Sequence, residues 1–378
     1  MRNRLPSPIR VPSHALTWAV AILFLMIVAR RLWSYMTHPT AVDFYYFWHS
    51  AGLVVRGQAS AAYAVHLSPV VGELTPLAYP PPFLLFIAPL GWMRLEAALI
   101  VWLGATGLLY LFAARHPVRL ALTHPPAAYN ALVGQTGFLT ASIMLVAAHN
   151  IRSRPLLGGA IFGLMVIKPH LAVLVPLALI AAKQWRALAG AALSSIVLTA
   201  LAAAVFGLDA YRGFFAVIAQ YAVMLQRGSW EWFLLASPYA FVMWFGAHHL
   251  LALFVHIVAA TFAAYMVWSA WREDWDSKIP VLGAAACLIP PYLFTYDAVL
   301  LIAPLGFLAA RNPAWAALVW GLSLPPLAMA LGKYTGPNTI PLAALMSLIA
   351  LYRLERGRLL PVTLPRRVDD RHSRVSET

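Results

Sequence analysis

Charge is what this sequence has least of. Only 11% of its 378 residues are Asp, Glu, Lys or Arg, where a water-facing globular surface carries roughly a quarter. With 62% of the chain hydrophobic, that little charge cannot coat a soluble surface, so a soluble globular protein is excluded. Cysteine is almost missing. Cys287 stands alone in an apolar run, which excludes an intrachain disulfide and argues against a thiolate metal cluster. Acids are scarce, 13 against 27 Lys and Arg, for a formal charge of +14. The arginines gather at segment ends and near the C-terminus, the pattern of anchoring beside anionic lipid headgroups rather than of nucleic-acid binding. His248, His249 and the scattered histidines lack the carboxylate or cysteine spacing of a metal site, so no metal is expected.

What is present is a succession of apolar runs, which predicts an all-α polytopic membrane protein. Met1 to Arg10 is basic and precedes an apolar stretch from about Leu16 to Val28. Ala29-Arg30-Arg31 offers no small-x-small cleavage site, so a retained first span over about 15–35 is expected. Tyr79-Pro-Pro-Pro82 opens the next apolar run, since proline suits the first turn of a helix. The inner turns carry Arg94, Arg152, Arg154, Lys183, Arg186, Lys278 and Arg311, which orients the chain with both ends in the cytoplasm. A last hairpin turns at Lys333 to Asn338. The pattern predicts about 12 transmembrane helices in a single domain over 1–353. Outer segments at about 36–79 and 206–247 are expected to hold interfacial helices. Phe44, Phe47, Ala51, Leu53 and Val55 are spaced as in one of these. Residues 354–378 read as a basic, disordered cytoplasmic tail.

One run does not fit a simple span. Leu156 to Ala182 is apolar except for Lys168-Pro169-His170 in its middle, where an isolated lysine is expensive. Two short helices meeting at the triplet explain it better.

On this topology Asp43, Glu73, Asp209, Glu231 and Asp297 face outward, together with the polar breaks Gly134-Gln135 and Lys168-Pro169-His170. Such parts suit the transfer of a sugar from a polyprenyl phosphate. The phosphate leaves without being protonated, so one carboxylate suffices, to take the proton of the acceptor hydroxyl. Donors or cations are needed where negative charge develops on the leaving group. Aromatic rings and an apolar groove hold the sugar and the prenyl chain. Asp43 is the candidate base. Lys168 and His170 are candidates for the phosphate, and Gln135, Tyr46, Trp48, Tyr79 and Asp297 complete the substrate site. Simpler readings stand beside these. Asp43 could cap the helix that follows it, Lys168 could snorkel to the interface, and His170 could be a structural hydrogen bonder. The run Phe44 to Trp48 could be an interface belt. Asp297 fits either a second acid or a buried partner of Lys168.

Asp43-Phe-Tyr-Tyr-Phe-Trp, followed by Arg56-Gly-Gln58 and Ala62-Tyr63, resembles the family 87 glycosyltransferases, GT-C-type enzymes that include polyprenyl-phosphate-mannose-dependent α-1,2-mannosyltransferases. Tyr79-Pro80-Pro81 with Ala88-Pro89-Leu90 is similar to the next block of that family. So are Gly134-Gln135, Gly158-Gly159 through Lys168-Pro169, and Pro291 to Asp297 with Leu300, in the family's order. The resemblance implies a GT-C-type fold in a bacterial inner membrane and an inverting transfer on the periplasmic side. It implies no metal or other cofactor, a polyprenyl-phosphate sugar as donor, and an envelope lipid or glycan as acceptor. Asp43 matches the base; Gln135, Lys168 and Asp297 match motif positions. His170 stands where an aromatic or aliphatic residue is expected, and the block ending at Asp297 lacks the Trp and His associated with it. Two alternatives are a polytopic lipid or solute transporter or flippase, which predicts related halves that the sequence does not show, and a non-catalytic scaffold, which predicts a silent Asp43→Asn.

Overall fold

A computed structural model describes residues 26, 43–68, 72–74, 76–115, 118–228, 231–325 and 336–359. The expected first span at about 15–35 (Met26 apart), the 333–335 part of the last hairpin turn and the tail beyond 359 lie outside the described residues. Those described form an all-helical protein, apart from one small hairpin.

The first helix with described bounds, α1 (Phe44–Val55), turns Phe44, Phe47 and Ala51 to one side at helical spacing, and all three are buried in the protein core. A 3-10 turn at Ala59–Tyr63 and the antiparallel pair β1 (His66–Ser68) and β2 (Gly72–Leu74) follow. Helix α2 (Pro81–Ile87) opens on prolines and continues as a 3-10 turn to Trp92. It stays beside α1. Phe47 and Phe83 meet edge to face at 5.0 Å, and the Trp48 indole donates to the Met93 carbonyl at 2.9 Å. A side chain at Gly91 would strike the Ala51 carbonyl. The turn that carries Arg94, expected on the inner side, therefore begins against α1, at the same end as the segment expected outside, which corrects that placement.

Helix α3 (Leu95–Ala114) leads to the short helices α4 (Val118–Thr123) and α5 (Pro125–Val133), then to α6 (Gly137–Asn150). The run interrupted by Lys168 is two helices, as expected. Helix α7 (Pro155–Gly163) and α8 (Leu174–Ala181) are joined by 3-10 turns that meet at Lys168. Beyond them come α9 (Trp185–Phe206), α10 (Leu208–Gln226), α11 (Pro238–Trp244) and α12 (His249–Arg272). The chain closes with α13 (Lys278–Ala286), α14 (Ile302–Arg311), α15 (Pro313–Leu322) and α16 (Ile340–Leu359). Helix α16 thus continues six residues past 353.

Among the described residues, α3, α9 and α12 are long and apolar enough to cross a membrane, and five apolar helices, some continued by 3-10 turns, are shorter. At 20 to 24 residues the long helices span about 30–36 Å, a bilayer's hydrocarbon thickness. Only 11% of the apolar stretch of α9 is buried. Its bare stripe includes Leu193, Ile196, Val197 and Leu201, a contiguous apolar surface that lipid covers and water would not tolerate. The other side of α9 packs on α7 through glycine. Gly159 and Gly163, spaced as G-x-x-x-G, sit on Ala187 and Ala191, and Gly190 sits on the Leu156 carbonyl. No side chain would fit at any of the three. Close approach lets Ser194 and Ser195 donate across the contact to the carbonyls of Ala160 and Gly163, at 2.7 and 3.0 Å. This is how helices associate in lipid, where the hydrophobic effect supplies no drive.

Candidate active site

The polar centre is built on the turn between α5 and α6. Gly134 ends α5 with φ +70°, a conformation that suits glycine. Asn130 holds the turn together: its carbonyl accepts from the amides of Gly134 and Gln135, and its side-chain oxygen accepts from the Gly137 amide at 2.7 Å. The turn is wedged between two other elements. A Cβ at Gly134 would meet Phe44 of α1, and one at Gly137 would meet the Tyr296 carbonyl. Packed this tightly, the turn brings Gln135 to Asp43 and Thr136 to Lys168.

A continuous hydrogen-bonded chain results. The Gln135 amide donates to Asp43 Oδ2 at 3.0 Å. Its own carbonyl accepts from the Tyr79 hydroxyl at 2.7 Å, which leaves the amide one orientation. Lys168 Nζ donates to the Tyr79 hydroxyl at 3.0 Å, to Thr136 Oγ1 at 3.0 Å and to Asp297 Oδ1 at 2.6 Å. Those are all three donors of an ammonium group. Its charge also lies over the rings of Tyr79 and Tyr296, at 5.0 and 4.7 Å, within cation–π range. Asp297 is wholly buried, and its second oxygen is 4.0 Å from His170 Nε2. The His170 side chain is 22% exposed, with its ring edge-on to Tyr292.

Several open readings are settled here. Asp43 occupies the position before α1, but its side chain makes no capping bond, so the carboxylate is not taken up by the helix. Lys168 is buried and does not snorkel. Asp297 is its partner. Asp43 is half-buried, and burial raises its carboxyl above the usual range; the Gln135 bond and the Lys168 charge pull the other way. Among the described residues nothing bonds its other oxygen.

Not every expected site residue joins. Trp48 is tied to Met93 and packs beside Tyr45. Tyr46 lies one turn along α1 from Asp43, half-buried, outside the hydrogen-bonded chain. Asp209 is exposed and paired with Arg212, and Glu231 is exposed. Thr136 and Tyr296 were not anticipated. Each neighbours a residue that was, but nothing local marks a threonine or a tyrosine as facing a lysine far along the chain.

An all-helical apolar scaffold that holds one carboxylate clamped by an amide, next to a buried ion pair, is that of a membrane protein with a built polar site. Glycosyltransferase family 87 matches residues 77–294, more than half of the chain, and this protein belongs to that family of membrane glycosyltransferases. No curated protein and no solved structure matches it. Membership leaves the transporter and scaffold alternatives without support. The matched segment holds Tyr79, Gln135, Thr136, Lys168 and His170. Asp43 and Asp297 fall outside it, and the hydrogen-bonded chain joins them to it from either side.

Proposed function

We propose that this glycosyltransferase takes a hexose or pentose, mannose foremost, from a polyprenyl phosphate and passes it with inversion to an envelope lipid or glycan. The reaction takes place at the periplasmic face of a bacterial inner membrane, in a GT-C-type fold of about 12 crossings with both chain ends in the cytoplasm. The observation that carries this reading is Asp43, half-buried, excused from helix capping and held by one oxygen to Gln135.

In this mechanism the acceptor hydroxyl gives its proton to the free Asp43 oxygen while its own oxygen attacks the anomeric carbon. The bond from that carbon to phosphate oxygen breaks, and its electron pair leaves with the polyprenyl phosphate, which needs no proton. Lys168, with all three N–H groups occupied, contributes through its field and by fixing Tyr79 and Thr136. His170, with its ring open to the surface, is the group placed against the departing phosphate. Tyr46 is the aromatic wall for the sugar. No metal is assigned a part.

Purified wild type and Asp43→Asn, each given polyprenyl-phosphate-mannose and a membrane lipid extract as acceptor source, test the reading. Transfer by wild type with a loss of roughly a hundredfold or more in the variant is expected for a missing general base. Equal transfer by both removes Asp43 from that role.

A further inference from the structure

Helices α6, α8 and α12 each lead away from the polar centre or its face and end together about 20 Å off, the length of α6. Between their far ends is a cavity of about 660 Å³, walled by Arg152, Lys183, Arg272, Lys278, His149 and Asp274. Four of these are cations and one is an acid. Asp274 pairs with both Arg152 and Lys278. Among the described residues, Lys183 and Arg272 have no acidic partner, and both are exposed.

The depth of the cavity is defined by two span-length helices. Helix α9 begins at Trp185, directly after Lys183-Gln184, and α12 ends at Arg272. The cations thus sit where hydrocarbon gives way to headgroups. The neighbouring rim is apolar and bare, with Trp185 58% and Ile180 40% exposed, as a lipid-facing edge would be. The backbone adds an independent sign. Lys183 and Asp274 have φ of +54° and +55°, and Arg115 at the end of α3, outside the cavity lining, has +50°; all three lie in the left-handed region that favours glycine. Lys183 and Asp274 each close one of the helices that end at the cavity, and the chain keeps a charged side chain there where glycine would be unstrained. Retained strain of this kind gathers at sites that use the side chain.

We propose that this cavity binds the phosphate of an anionic phospholipid headgroup, with Lys183 and Arg272 as its ligands and the acyl chains lying against the apolar rim. Basic pockets between helices at a membrane surface recognise such headgroups. A soluble phosphate offers the same anion, but the bare rim beside the cations favours the lipid.

The full chain, delipidated in detergent and offered equal amounts of phosphatidylglycerol and phosphatidylcholine, tests this by native mass spectrometry of bound lipid. Wild type is expected to keep phosphatidylglycerol preferentially. Lys183→Gly/Arg272→Gln is expected to lower that preference roughly tenfold or more, the weight of two interfacial cations. Lys183→Gly alone relieves the strained backbone, so it should unfold at a higher temperature while keeping less phosphatidylglycerol; a lysine with only a structural role would not separate the two. Equal retention of both lipids by wild type, or an unchanged preference in the variants, overturns the proposal. Displacement of phosphatidylglycerol by inorganic phosphate would overturn the lipid as the ligand in favour of a soluble phosphate.

Discussion

Two clusters of charge occupy opposite ends of the same helices, and they are built on different terms. At one end Lys168 is buried and bound by Tyr79, Thr136 and Asp297. At the other, Arg152, Asp274 and Lys278 pair at the surface, while Lys183 and Arg272 stand open. Burial makes the difference. Away from water an unpaired charge costs several kcal/mol, so every donor must be matched. In water, pairing is worth at most about 1 kcal/mol, so a cation can wait for a ligand. The buried cluster gains a fixed geometry that holds Gln135, and through it Asp43, in one orientation. The exposed cluster gains availability.

The largest expected effect comes from breaking the buried pair. Lys168→Met leaves the Asp297 carboxylate without its partner and should lower stability by about 3–5 kcal/mol, read as thermal unfolding in detergent. Lys168→Met/Asp297→Asn should recover part of that loss, because the two changes act on one interaction. Should Lys168→Met unfold with wild type, the contrast between the two ends would collapse.

Next is Asp43→Asn, whose hundredfold or greater loss of transfer should leave unfolding nearly unmoved. A variant that lost both together would place Asp43 in the structural network instead. Gln135→Leu sharpens the point further. Burial raises the Asp43 carboxyl and the Gln135 bond lowers it. A general base works ionised, so on the proposed mechanism transfer falls as pH drops through the Asp43 pKa. Without the amide, which lowers the Asp43 pKa, that fall should move to higher pH. A pH profile of kcat/KM that kept its acidic limb would show that Gln135 does not position the base. The smallest effect belongs to the exposed end. Arg152→Gln should change stability by less than about 1 kcal/mol, and a larger loss by the same unfolding measurement would mean that this pair is not a surface pair.

Much of the site was legible because its parts break local patterns. A lysine inside an apolar run, a glycine-glutamine step between helices and an acid ahead of an aromatic helix each stand out in a sequence this poor in charge. What they do to one another was not legible. Gln135 and Asp43 are 92 positions apart, and Lys168 and Asp297 are 129 apart, so no spacing rule connects them. Thr136 could be read only as a residue near a helix start. Trp48 looked like a substrate platform because it shares the aromatic run with Tyr46, yet its indole ties α1 to Met93.

Composition and periodicity by themselves determined that the chain is a membrane protein, is helical in the apolar runs that the structure describes and breaks one of them at Lys168. Those are one-dimensional properties, set by how often charge interrupts hydrocarbon. Whether the Asp43 side chain caps its helix, and whether Asp297 pairs with Lys168, was decided only in three dimensions. A buried charge must find its counterion wherever the packing of glycines on helices delivers one, and that packing brings together residues which the order of the chain keeps far apart.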